Sequence, residues 1–337
     1  MASLARSLPR SLALSKTRCF AATTRFADPW FRQYDKATDG FVDSMGFMSR
    51  LPLRLESTNV FLYGTVDAEK MWKEFDDEDF VPILVGGKAV VNLWFNNFID
   101  TDCGGEYLET WYNTFVTAKG EPQLELPMES PFSMLIQDPR MLIYLQRVIC
   151  GDTAGNPGAA MKAICGGRSV FGFPKHPVPA SVRYEYAAEG KAMEFDGKHL
   201  DNEAVKLRVR LPEADEGALS IPMDVKSGPD VCIGSPRLGG THKGDNGSHQ
   251  VRYGQAFKCT QHIKPWDPST DSIEFGSDGH YALPIKRWGF EPVLKAHTTD
   301  MKIAAFKPIN WISGSQAEAI VAEHEAKLAK GVKAGAL

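Results

Sequence analysis

Apolar and polar positions alternate most clearly in the first half of the chain. The run NVFLYGTV at 59–66 predicts a strand, and DAEKMWKEF at 67–75 predicts a short helix with Asp67 as its N-cap. Two further strands are predicted at AVVNLWFNNFIDT (89–101) and GGEYLETWYNTFVTA (104–118), the second with aromatics at Tyr107, Trp111, Tyr112 and Phe115. DPRMLIYLQRVICG (138–151) spaces Met141, Ile143, Leu145 and Val148 in an imperfect helical pattern, and a helix is expected there. Beyond residue 179, ASVRYEYAA, AVKLRVRLP, GALSIPMDV and HQVRYGQAFKC all look like strands. Together they suggest an antiparallel meander. The expected class is α+β, predominantly antiparallel β, with few helices and a sheet curled or closed into a β-barrel around its core.

Both ends differ from this pattern. Residues 1–28 carry Arg6, Arg10, Lys16, Arg18 and Arg25, with no acidic residue before Asp28. An Arg-rich, Ser-rich, acid-free start has the composition of an organelle transit peptide, expected to direct the chain to the mitochondrion or alternatively to a plastid. Residues 29–310 are expected to form one domain. At 311–337, Ser315 and Glu318 make a capping box and Glu323 faces Lys327 at i,i+4, which predicts a helical tail. The Gly-rich stretch 234–249 lacks the Gly-Lys-Ser/Thr end of a phosphate loop and is expected to be a long hairpin loop.

The chain has 337 residues, 43% hydrophobic and 24% charged, with a formal net charge of -4. That is long enough to bury a large core. The balance does not suit a nucleic-acid partner, which usually requires a basic surplus. No apolar run approaches the ~18 residues of a membrane span. The six cysteines are scattered, and the eight histidines show no ligand spacing, His242 and His249 included, so no metal and no cofactor is expected.

One lysine stands out. GGRSVFGFPKHPVP sets Lys175 between Pro174 and His176, after Phe171 and Phe173 and seven residues beyond Arg168. A turn lysine flanked by prolines is the plain explanation. An apolar, rigid setting would do more, because lost hydration disfavours the ammonium. An ordinary lysine, with a pKa of about 10.4, is deprotonated at neutral pH only to the order of one part in a thousand. Held dry, its free amine could attack a ketone and form a Schiff base.

GGRSVFGFPKH resembles the G-R-E-x-x-x-[YF]-P-K-K motif of the acetoacetate decarboxylase family, matching without gaps at Gly167, Arg168, Phe173, Pro174 and Lys175. DTDCGGEYLET resembles the family segment ending in Tyr-x-Glu, and LYGTVDAEKMWKEF resembles its opening strand and helix. The resemblance implies that Lys175 forms the Schiff base, Glu109 is the active-site carboxylate and Arg168 is the motif arginine. It also implies a homo-oligomer and decarboxylation of an acetoacetate-like β-keto acid.

There are departures from the pattern. His176 replaces the family's second, pKa-tuning lysine, Ser169 replaces a glutamate, and a further acidic position falls at or near Trp94. Arg54 is the nearest match to an N-terminal arginine. Aldolase or dehydratase chemistry on the same lysine is therefore the second expectation. A third is a non-catalytic protein binding a small apolar ligand in a pocket of Tyr107, Trp94, Trp111 and Phe173.

Overall fold

Runs rich in β-branched and aromatic residues need cross-strand partners to bury both faces, and that requirement shapes the molecule. In this computed structural model the described residues are 26–35, 39–42, 48–75, 80–102, 104–136, 138–171, 173, 175–177, 183–186, 191–199, 202–226, 231–233, 251–306 and 309–310. The segments expected to be a transit peptide (residues 1–25 of it), a Gly-rich loop and a helical tail lie outside them, as do His242, His249 and Pro174.

A 3-10 turn at Pro29–Tyr34 leads to the hairpin of β1 (Asp39–Val42) and β2 (Met48–Leu51). Next come β3 (Leu53–Val66), α1 (Ala68–Phe75), β4 (Phe80–Pro82), β5 (Leu84–Val85), β6 (Lys88–Thr101) and β7 (Tyr107–Ala118). The middle of the chain holds β8 (Glu125–Leu126), β9 (Leu142–Gly151), α2 (Ala159–Gly166), a π-helical turn at Gly167–Phe171 and β10 (Lys175–Pro177). Then follow β11 (Arg183–Tyr186), β12 (Ala192–His199), β13 (Asn202–Arg210), β14 (Leu219–Val225), β15 (Val231–Ile233) and β16 (Val251–Tyr253). The last elements are β17 (Gln255–Pro265), β18 (Ser272–Phe275), α3 (Ala282–Arg287), β19 (Glu291–Ala305) and β20 (Ile309–Asn310).

The large sheet runs β14-β17-β19-β3-β6-β7-β9-β15-β16-β20, mostly antiparallel, with parallel pairs at β9–β15, β9–β10 and β5–β8. This confirms a mixed α+β, mostly antiparallel class. It corrects the expectation of a curled or closed β-barrel. Among the described residues the path has two ends, β14 and β20, with no ladder joining them. A barrel closes only when its first and last strands pair. Here four strands that could have extended the ladder, β11, β12, β13 and β18, form a separate sheet.

That second sheet covers one face of the large one. Met193, Phe195, Val205 and Leu207 pack with Leu62, Leu93, Phe95 and Tyr112, with α1 and α3 closing the sides. The opposite face builds the other main core, over which α2 and the π-helical turn lie.

Asp67 does cap α1, its Oδ1 accepting from Lys70 N at 2.9 Å. The helix expected at 138–151 is a second correction: Leu142–Gly151 is strand β9. Leu142 and Tyr144 enter one core, whereas Val148 and Cys150 enter the other. Against β7 the register steps from Arg147 to Leu145, omitting Gln146. A bulge of this kind reverses which parity faces which core, and so breaks the period of two in the sequence.

Candidate active site

Register divides the α2-covered face into rows. Phe61, Trp94, Trp111, Val148 and Lys175 are successive cross-strand partners on β3, β6, β7, β9 and β10. Beside that row stands a polar one: Asn59, Asn96, Glu109 and Cys150, all buried. Alternation along β7 puts Tyr107, Glu109 and Trp111 on this one face.

The rows meet at a cavity of about 50 Å³ against Tyr107, Glu109, Trp111, Phe173 and Lys175. A single water needs roughly 10–15 Å³ on this scale, so a few waters or a small ligand would fill it. Apolar side chains such as Leu55, Phe98 and Ile303 make much of the remaining wall, with Gln255 as a polar contribution from β17.

Lys175 Nζ lies 2.6 Å from Glu109 Oε2, and the two side chains are 5% and 1% exposed. The amine also stands 5.5 Å from the ring centre of Tyr107 and 5.3 Å from that of Phe173. Burial works against the ammonium, while the adjacent carboxylate and ring faces work for it. Cys150 Sγ donates to the same Glu109 oxygen at 3.0 Å. Glu109 Oε1 is buried and has no hydrogen-bond partner among the described residues.

The chain enters this site through tight backbone contacts. Phe173 N donates to Gly167 O at 3.1 Å, and Lys175 N donates to Phe173 O at 2.8 Å. Arg168 does not line the cavity; its Nε donates to the Lys175 carbonyl at 2.7 Å, fastening the π-helical turn to β10. Phe171 and Phe173 stack at 5.1 Å between ring centres.

The other predicted residues lie elsewhere. His176 lies against His280, with ring centres 3.6 Å apart and the rings tilted at 39°. Neither histidine is among the residues lining the cavity. Trp94 sits one strand behind the wall, its ring centre 5.1 Å from that of Trp111 and 4.5 Å from that of Phe61. Arg54 lies between the lining residues Leu53 and Leu55 but points to Asp102, with Nε to Oδ2 at 2.9 Å, and to Asp35. The Asp102 hydrogen bond holds its guanidinium above the ordinary arginine range.

Cys150 and Gln255 were missed from sequence. The signal for Cys150 was its spacing from Val148, concealed by the bulge in β9. Gln255 is brought in by a long-range pairing, that of β17 with β19, which no local pattern encodes. Among the described residues no group of three or more His, Cys, Asp or Glu converges as a metal site, and no helix is long and apolar enough to cross a membrane.

No family model matches the chain, and no curated protein does either. Solved structures do match. The crystal structure of acetoacetate decarboxylase from Legionella pneumophila subsp. pneumophila str. Philadelphia 1 aligns with a TM-score of 0.50 at 14% identity, over 78% of this chain and 89% of that one. The enduracididine biosynthesis enzyme MppR complexed with pyruvate aligns with a TM-score of 0.50 at 10% identity, over 77% of this chain and 89% of that one. At such identities the likeness shows a shared fold and no more.

Proposed function

We propose that this chain is a Schiff-base lyase acting on a small keto acid, with decarboxylation of an acetoacetate-like β-keto acid as its reaction. The observation that carries the reading is the buried contact of Lys175 Nζ with Glu109 Oε2 at the wall of a small, largely apolar cavity. Loss of the ammonium proton, with Glu109 2.6 Å away to relay it to solvent, leaves a neutral amine beside an ionised carboxylate, and that amine is the nucleophile this chemistry needs.

The amine adds to the ketone carbon, and a proton delivered through Glu109 lets water leave as a protonated imine forms on Lys175. The electron pair of the bond to the carboxylate then moves toward the imine nitrogen, releasing CO2 and leaving an enamine. Glu109, reprotonated from solvent, passes a proton to carbon, after which water adds and the lysine is freed. An apolar wall favours this step, since it does not stabilise the negative charge of the departing carboxylate.

A second reading is aldolase or dehydratase chemistry through the same imine. It is favoured by the positions of Arg168 and His176, neither of which is among the described residues lining the cavity. That a neighbour of this fold is described in complex with pyruvate adds a 2-keto acid to the substrates worth testing.

The decisive experiment is borohydride trapping with acetoacetate and with pyruvate, followed by peptide mass analysis. An adduct on the Lys175 peptide, together with CO2 release from acetoacetate, is the expected result. CO2-free adduct formation would select the second reading. A folded protein giving no adduct with either acid would overturn both and favour a non-catalytic pocket for a small apolar ligand.

A further inference from the structure

The carboxylate of Glu109 is loaded unequally. Its Oε2 takes two donors, Lys175 Nζ at 2.6 Å and Cys150 Sγ at 3.0 Å, while Oε1 takes none among the described residues. Cys150 reaches this oxygen because Glu109 and Cys150 are direct partners across β7 and β9, and the thiol is fully buried. The thiol is thus fixed by a ladder of two long strands, whereas Lys175 sits on a three-residue strand.

We propose that Cys150 is a positioning residue that weakens the hold of Glu109 on the lysine amine. This rests on the reading of Lys175 and Glu109 given above. The positive end of the S–H dipole points at the carboxylate and offsets part of its negative potential at Nζ. The same bond keeps Oε2 turned toward the lysine, so that Oε1 is the oxygen left for a reacting molecule. Without the thiol donor the carboxylate would bind the ammonium more tightly, and less free amine would be present at a given pH.

Among the described residues, the other groups around the pair make different contacts. Tyr107 on β7 presents its ring, Arg168 on the π-helical turn serves the Lys175 carbonyl, and His176 on β10 lies against His280. The facing elements contribute Leu55 from β3, Ile303 from β19 and Ala163 from α2, with the uncharged Gln255 from β17.

The test is the pH dependence of Lys175 acylation by acetic anhydride, read by mass spectrometry of its peptide. Wild type is compared with Cys150→Ser, which keeps a donor, and with Cys150→Val, which keeps bulk and loses the donor. The Val variant should label along a curve displaced to higher pH by about half a unit to one unit, or about threefold to tenfold slower below its midpoint. The Ser variant should follow wild type. Coincident curves for all three, or faster labelling of the Val variant, would overturn the proposal. If the Val variant does not fold, Cys150→Ala supplies the donor-free curve. Failure of keto acids to form an adduct would instead count against the lyase reading, because acylation does not depend on it.

Discussion

Gly167 and Lys175 are packed so closely that a Cβ on the glycine would fall 2.8 Å from both Cδ and Cε of the lysine. The glycine backbone has φ -61°, which any residue adopts, so the requirement is for space rather than conformation. Phe173 Cδ2, 3.1 Å from the same point, blocks the obvious retreat.

Gly167→Ala should therefore push the lysine stem away from Glu109. The expected result is at least a tenfold loss of borohydride-trapped adduct, with a cost in stability of about 1–3 kcal/mol, the usual range for overpacking. Trapping yield and a urea unfolding curve measure the two effects. Full adduct yield would show that the amine tolerates displacement.

Tryptophan emission should report what enters the cavity. Trp111 is part of its wall, and Trp94 lies behind it. A ligand taken up there should change the emission of wild type and of Trp94→Phe, but change that of Trp111→Phe much less. Titration with acetoacetate, pyruvate and a small apolar compound would rank the three classes of occupant.

A second buried ion pair gives a comparison outside the site. Lys295 Nζ on β19 lies 2.7 Å from both oxygens of Asp271, with the side chains 4% and 0% exposed. Asp271 also accepts from the backbone N–H groups of Arg210 and Asp267, so it ties a turn to the end of β13. Lys295→Met leaves a buried carboxylate without its counter-charge and should cost about 3–5 kcal/mol. Unfolding in urea would show the loss, and trapping at Lys175 should be unchanged below the transition.

Acid should weaken the fold through His297. Burial pushes its imidazole from 6.5 down to about 4. The unfolded chain takes up this proton below about 6.5, and the folded chain does so only near 4. The associated stability is thus complete above pH 6.5 and is lost as pH falls between those values. Over that window the loss amounts to about 3 kcal/mol at 1.36 kcal/mol per unit. Urea midpoints at pH 7, 6 and 5 should decline in wild type and decline less in His297→Gln.

How far the sequence could be read depended on whether a pattern was local. The alternation of Tyr107, Glu109 and Trp111 needs only β7 itself, and these three do stand on one face at the cavity. The lysine was conspicuous because prolines and phenylalanines surround it. Strand β9 was misread because a bulge shifts its parity halfway along. The closed sheet was misjudged because the choice between joining the large sheet and forming a second one depends on contacts distant in sequence. Trp94 was placed in the pocket on family analogy, whereas the register puts one strand between it and the lysine strand's neighbour. The turn toward His280 that takes His176 out of the cavity brings together residues about a hundred positions apart, which no spacing rule anticipates.

Strand β10 is a side branch: among the described residues it pairs with β9 alone, over three positions. Its few hydrogen bonds make it a separate unit of local opening from the long ladder that carries Glu109 and Cys150. Lys175 and Glu109 thus belong to parts of the molecule with different stiffness. Loss of the three-position pairing between β10 and β9 would uncover Lys175 while the ten-strand path stayed intact. Amide exchange should record that difference as faster exchange in β10 than in β7.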